Sequence, residues 1–396
     1  MKKFINKSVS YILGLLLILL SVYNYRSSEF VFGDEALRSQ FYFVFFALVA
    51  FVLCYMLFVA RKRKMSSTVL ISLLITIYLG VKCYLYPEPA QYDVLSVAYS
   101  FFWFLLMFFA NNYFLASNDR QQDSRFINIC FYVYIVVSLL NIESFIKYSE
   151  YGIPMMPLVY NSLYFLPWIL MMGKVKRTFS LLLLFLMVAI SAKRGAVVVM
   201  ACEILVLSFI YLNLRSSRKI YYVLTLFAVA LIAGYSIEYA NTINDNYILS
   251  RFDVDALQDG SGRSDIYKYG FEAINDMSSI KQLLLGYDLG SKILIDFGGH
   301  NDWITYMLYH GIIGLGLYVA LYISMFKNIL KLRAANNKLY IPYISLFIIM
   351  FVLSCVSSAY NPVLHPIMGM LFIGFVESKT IKIDHEKSCN THLYKY

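Results

Sequence analysis

The sequence predicts an all-α integral membrane protein: a polytopic bundle of about 12 transmembrane helices with one long outer loop. Three observations predict it. The chain of 396 residues is 60% hydrophobic and only 15% charged, with a mean hydropathy of +0.63, whereas a soluble domain carries about 25% charged residues. Its apolar residues gather into runs close to the ~20 residues that a spanning helix requires. Its positive charge falls mostly on one side of those runs.

The first span, 9–23, follows the basic start Lys2, Lys3 and Lys7 and lacks a small-residue cleavage site, so it reads as a retained signal anchor. Spans follow at 41–60, 67–86, 94–115, 126–146 and 157–173. The next, 178–192, is short and forms a tight hairpin with 195–213. Span 220–238 leads into a polar loop over 239–300. Spans 302–326 and 339–357 come next, and 363–376, shorter still and containing Pro366, is the last. The whole chain, 1–396, reads as a single polytopic membrane domain that contains this loop.

With both termini cytoplasmic, the inner segments hold 23 of the 34 lysines and arginines, in clusters such as Arg61 to Lys64 and Lys327 to Lys338. The short outer segments hold six and the long loop five. This follows the positive-inside rule and puts the long loop outside the cytoplasmic membrane. The net charge of +10 is therefore topological, and a nucleic-acid partner is excluded. The six cysteines are scattered with no C-x-x-C, so neither a zinc site nor a disulfide framework is indicated. No two histidines share ligand spacing on one helix, so no metal is expected. There is no P-loop and no dinucleotide fingerprint, so no cofactor is expected. The absence of an internal repeat disfavours the repeat-built transporters. The tyrosine- and phenylalanine-rich composition suits membrane interfaces.

Chemistry-bearing residues concentrate toward the outer face. Lys193-Arg194-Gly195 occupies the hairpin before span 195–213, and two adjacent outward cations break the charge rule. Arg194 stands where a helix begins, so its guanidinium, the free N–H groups and the helix dipole together offer an anion site, and Lys193 could share it. An arginine that only snorkels to the interface is the alternative. Glu203 lies within the same span, either paired inside the bundle or lining a wet cavity. Arg263 lies in Gly260-Ser-Gly-Arg-Ser-Asp265, where the glycines permit an unusual turn and Ser264 or Asp265 would cap a short helix through about 276. Such an arginine could clamp an anion or simply be solvated.

His300-Asn301-Asp302-Trp303 enters the next span. Asn301 or Asp302 is a natural N-cap, and a histidine with a pKa of about 6.5 can accept a proton near neutrality. On a regular helix Gly311 falls about 20° from the face of His300, and Gly311 with Gly314 would form a smooth groove for a helix or lipid chain. His310, about 80° away, reads as a packing residue. His365 could line the same cavity, while His385 and His392 lie in the tail.

Arg194 at a helix start, Gly262-Arg263 in the outer loop, Leu285-Gly-Tyr-Asp-Leu-Gly290, and His300-Asn301 with Gly311 together resemble the O-antigen ligase/polymerase superfamily. The motifs cover roughly 180–325, and His-Asn with the later glycine is the most specific part. Two departures stand out: Ser279 occupies the position where an Arg-x15-Gly spacing from Arg263 would require glycine, and Tyr267 stands where tryptophan is common.

The resemblance implies a metal-independent glycosyltransferase with a GT-C-like membrane fold in the bacterial inner membrane. The implied donor is a glycan on undecaprenyl pyrophosphate, with membrane lipid around its tail and a chain-length regulator as a partner protein. Arg194 and Arg263 would hold the pyrophosphate and stabilise its developing charge. His300 would take the proton of the acceptor hydroxyl, and Asn301 and Asp302 could orient it. Attack opposite a single leaving group implies inversion. A Wzy-type polymerase is favoured by the modest loop and the tyrosine-rich character. A WaaL-type ligase that transfers glycan to lipid A-core is the alternative. A lipid-linked oligosaccharide flippase would spread its ionisable residues through many spans, which this chain does not.

Overall fold

A computed structural model describes residues 2–28, 35–60, 64–85, 91–116, 120–150, 156, 158–191, 193–213, 263–287, 301–357 and 366–393. About 90% of the structure is helical, with no strand among the described residues. The helices are α1 (Lys2–Ser28), α2 (Glu35–Cys54), α3 (Ser67–Leu85), α4 (Gln91–Leu115), α5 (Arg120–Ser149), α6 (Val159–Leu163), α7 (Leu166–Met171), α8 (Lys174–Ile190), α9 (Arg194–Asn213), α10 (Arg263–Asn275), α11 (Ile280–Leu285), α12 (Asp302–Ala334), α13 (Tyr340–Val356) and α14 (Ile367–Leu393). In hydrocarbon each backbone N–H and C=O must bond within its own segment, and helices satisfy this.

Among the described residues, six helices are long and apolar enough to cross a membrane: Lys7–Arg26, Leu37–Val59, Ser67–Leu85, Val97–Leu115, Gln121–Ser149 and Asp302–Ala334. Their surfaces carry large apolar side chains, among them Phe43 at 75% and Phe58 at 83% exposure. Exposed apolar area on this scale marks a surface made for lipid. The expected span 220–238 lies outside the described residues.

Several elements differ from the sequence reading. The expected single span 157–173 is broken into α6 and α7 around Tyr164 and Phe165. Pro167 in the first turn of α7 explains the restart, since proline lacks the N–H and clashes with a preceding helical turn. Helix α2 ends in a π-helical turn, Tyr55–Val59. Helix α12 runs eight residues past the expected end at 326, and α14 continues through residues read as tail.

The chain groups into two compact units, Met1–Phe51 with Asp119–Gln258, and Val52–Asn118 with Asp259–Tyr396. In the first unit α1 packs along α5, and α5 packs against α6, α7 and α8. Gly14 removes the side chain that would strike Ile129. The Tyr134 hydroxyl donates to the Ser180 carbonyl at 3.0 Å, and the Asn141 amide to the Ser162 hydroxyl at 3.0 Å.

In the second unit α14 lies along α4, with Gly374 against the Met107 carbonyl and the Asn111 backbone. A buried carboxylate ties four helices together. Glu377 of α14 accepts from Thr68 of α3 and from the Asn328 amide of α12, both at 2.5 Å, and from the Tyr343 hydroxyl of α13 at 3.4 Å. A buried carboxyl group is tolerated where donors replace the water it lost, and these three side chains supply them.

Candidate functional site

The site is built in the second unit, where the start of α12 meets α10, α11 and the end of α13. Asn301 is the N-cap of α12, as the sequence suggests. Its side-chain oxygen accepts from the N–H groups of Trp303 at 2.9 Å and Ile304 at 3.2 Å. Its amide donates to the Cys355 carbonyl at 3.0 Å. One side chain thus starts α12 and fastens it to the end of α13. Asp302 is buried and takes the Tyr318 hydroxyl at 2.9 Å. Tyr318 and Tyr322 in turn share the Ser354 hydroxyl, at 2.6 and 2.7 Å. Trp303 donates to the Cys355 sulfur at 3.3 Å and lies against Tyr318, Tyr322 and Phe351.

Helix α10 begins at Arg263, so Ser264 and Asp265 lie inside its first turn and are not its caps. The expected helix is therefore present but starts earlier, and Asp265 in the first turn suits the positive end of the helix dipole. One turn after Arg263, the Tyr267 hydroxyl donates at 3.5 Å to the Cys355 carbonyl, the same atom that Asn301 uses. Helix α10 lies on α12 through Ala273, Tyr287, Ile304 and Leu308, with Ile266, Tyr267, Tyr269, Ile274, Met277 and Tyr309 around them. The Gly262-Arg263 and His300-Asn301 motifs, nearly forty residues apart in sequence, therefore flank helices that converge on one carbonyl. His300 itself, Gly298, Gly299 and His365 lie outside the described residues. For Arg263 the structure describes the backbone position alone.

Helix α11 opens with a capping box between Ser279 and Gln282. It ends at Gly286, whose φ is +82°. Gly286 faces Gly311, and here the expectation of a regular helix through 311 fails. Gly311 has φ +60° and ψ −166°, and it breaks α12. A Cβ on Gly311 would stand 2.5 Å from the Leu284 carbonyl, and one on Gly286 would stand 2.5 Å from the Tyr309 carbonyl carbon. The close approach that Gly311 permits is made by the protein's own α11 end. A side chain on either residue would separate the two backbones.

The break redirects carbonyls. In an unbroken helix Leu308 O would bond the N–H four residues on; here it accepts from Tyr287 N at 2.8 Å. The His310 carbonyl accepts from the Tyr78 hydroxyl at 2.5 Å. His310 packs its ring on Tyr306, at 5.1 Å between centroids, in keeping with a packing role. The Tyr287 hydroxyl donates to the Ala273 carbonyl at 2.5 Å, and burial, with Asp276 and Tyr269 adding to it, raises its pKa above the usual phenol value. Lys82 of α3 is 2% exposed, and its ammonium donates to the Tyr287 carbonyl at 3.4 Å.

Lys82 and Glu377 carry no motif in the sequence, whereas Tyr287 belongs to the Leu285-Gly-Tyr-Asp-Leu-Gly290 stretch. Lys82 falls at the end of an apolar span and reads as one more interfacial lysine. Glu377 falls one residue beyond the last expected span. The available signal is that ionisable residues at membrane depth mark function by default.

The first unit holds the other cationic motif. Helix α9 begins at Arg194, as expected, and the Lys193 carbonyl accepts from Ala196 and Val197 at 3.0 and 3.2 Å. Lys193 N donates to the Ser191 hydroxyl at 3.3 Å. Tyr160 of α6 lies against this first turn, its hydroxyl 2.7 Å from where a Gly195 Cβ would stand. Lys193 and Arg194 are part-buried. Glu203 is buried further along α9. Helix start, arginine and phenol give this locus the donors that an anion needs.

Comparison with models of known protein families finds no match, and comparison with curated proteins finds none either.

Proposed function

We propose that this chain is a membrane polysaccharide polymerase. It joins oligosaccharide repeat units carried on undecaprenyl pyrophosphate into a surface glycan of the O-antigen or capsule type. The proposal includes a GT-C-like fold of about 12 spans, placement in a bacterial inner membrane with both termini cytoplasmic, and chemistry on the outer face. One observation supports it above the others: Tyr267, one turn after Arg263, and Asn301, next to His300 in the chain, donate to the same Cys355 carbonyl. The helices that follow the Gly262-Arg263 and His300-Asn301 motifs in the chain thus belong to one packed structure.

In this reading a hydroxyl of the acceptor sugar attacks the anomeric carbon of the donor. The new glycosidic C–O bond forms as the bond from that carbon to the pyrophosphate oxygen breaks, with inversion. His300 takes the hydroxyl proton, and the electron pair leaves on undecaprenyl pyrophosphate. Arg194 and Arg263 stabilise that charge, which grows toward the transition state, so each contributes to rate as well as to binding. Lys193 serves substrate binding, while Asn301 and Gly311, whose contacts are with the protein itself, serve the shape of the site. A chain-length regulator is the expected protein partner.

Gene deletion tests the reading, with surface glycan run on a gel beside isolated lipid-linked intermediates. Loss of the ladder to single repeat units is the expected result. Long polymer accumulating on the carrier, with bare lipid A-core, would establish the ligase. Single units confined to the cytoplasmic face would replace both readings with a flippase.

A further inference from the structure

Lys82 is a lysine buried at the end of a spanning helix, and burying an ammonium is costly without compensating contacts. Its ammonium reaches Tyr287, the residue that follows the Gly286–Gly311 contact. Tyr287 commits every polar group it has. Its N–H goes to Leu308 O of the broken helix, its carbonyl to Lys82 of α3, and its hydroxyl to Ala273 O of α10. Tyr78, one turn before Lys82 on α3, holds the next freed carbonyl of the break, that of His310. Two glycines of positive φ bring the backbones together, and α3 supplies both side chains that close the junction.

The consequence reaches the motif-bearing helices. The junction fixes α10 to α12 at the Ala273 end of α10, and the shared Cys355 carbonyl fixes them at the Tyr267 end. With both ends held, the start of α10 and the start of α12 have one relative placement. We propose that Lys82, acting through Tyr287, is a positioning residue that sets the Arg263 helix against the Asn301-capped start of α12 for glycosyl transfer. The proposal rests on the polymerase reading for its catalytic consequence, while the clasp stands on the contacts.

The test uses the full chain in membranes, with Cys355 as the reporter. Cys54, Cys83, Cys130, Cys202 and Cys389 are replaced by Ala, and labelling of Cys355 by a small maleimide is timed. Cys355 is half-buried, its carbonyl held by Tyr267 and Asn301 and its sulfur by the Trp303 N–H, so loosening the clasp exposes the sulfur further. Lys82→Met and Tyr287→Phe should each raise the labelling rate by roughly tenfold, the effect of losing one hydrogen bond of this kind. Lys82→Arg should keep it near the parent rate.

In the polymerisation assay, Lys82→Met should lower kcat on the order of 100-fold, as a misplacement of about 1 Å does. KM for the lipid-linked donor should hold, and Lys82→Arg should recover activity. Labelling of Lys82→Met at the parent rate would overturn the clasp. Raised labelling with unchanged kcat would overturn the positioning role. If the parent protein polymerises nothing while Lys82→Met still raises labelling, the polymerase reading fails and the clasp stands.

Discussion

Replacing Gly311 with alanine tests the break in α12 directly. At φ +60° and ψ −166° the residue occupies a region of backbone space open essentially to glycine. Holding any other residue there costs about 1–3 kcal/mol. The new methyl would also stand 2.5 Å from the carbon and oxygen of the Leu284 carbonyl and 2.6 Å from Gly286 N. These are backbone atoms, which cannot rotate aside as a side-chain tip can, and overpacking of this kind costs about 1–3 kcal/mol more. The two effects together predict a loss of about 3 kcal/mol or more for Gly311→Ala.

The control is Gly316→Ala, five residues along the same helix, where a Cβ would meet nothing within 4 Å. There alanine should be neutral or stabilising by up to about 1 kcal/mol, since glycine in a helix interior carries an entropic penalty. Thermal unfolding of the two purified variants in detergent, followed by near-ultraviolet circular dichroism, separates them. Gly311→Ala should melt several degrees below the parent and Gly316→Ala at or above it. Equal melting of the two variants would refute the argument, because α12 would then run straight through 311 and the redirected carbonyls of Leu308 and His310 would not exist.

The remaining predictions concern single side chains. Arg194→Ala and His300→Ala should each abolish long-chain glycan on gels while the protein still inserts, and Arg194→Lys should keep part of the activity, because a point charge replaces a planar fork; normal ladders from both alanine variants would remove these residues from the reaction. Asn301→Ala should destabilise the protein by about 2 kcal/mol, from the lost cap and the lost bond to Cys355. Asn301→Asp, which caps but cannot donate, should cost about half of that, and the order reversed in unfolding measurements would contradict the assignment. Glu377→Ala removes the acceptor shared by the Thr68 hydroxyl and the Asn328 amide and leaves them their contact with each other and that of Thr68 with Ser324, which should cost about 1–3 kcal/mol in all. Glu377→Gln should fall between it and the parent in thermal stability.

The elements that sequence reveals most directly are those governed by local composition. Spans such as 67–86 and 94–115 are visible because bilayer thickness sets their length, and α3 and α4 lie within a few residues of them. The Asn301 cap and the start of α9 at Arg194 are equally visible, since capping chemistry depends on a few adjacent residues. The broken span around Pro167 is local too, and the proline was there to be read.

The Gly311 break is of another kind. Glycine inside an apolar helix is common at packing faces, and no neighbour in sequence states that α11 will press against it. Lys82 and Glu377 escaped notice for the same reason: each gains its meaning from partners more than 200 or 300 residues away in one case each, Tyr287 and Thr68.

What the sequence by itself determined is the membrane-type helical class and the positions of most helices. Hydrocarbon imposes length and backbone satisfaction on each segment separately, so these features need no knowledge of neighbours. What only the tertiary structure decided is which polar groups meet: Asn301 and Tyr267 on the Cys355 carbonyl, Tyr287 between Lys82 and Leu308, and Glu377 among three helices. The physical reason is that a buried polar group must find its partner in space, and in a bundle of long helices that partner lies on another helix far along the chain.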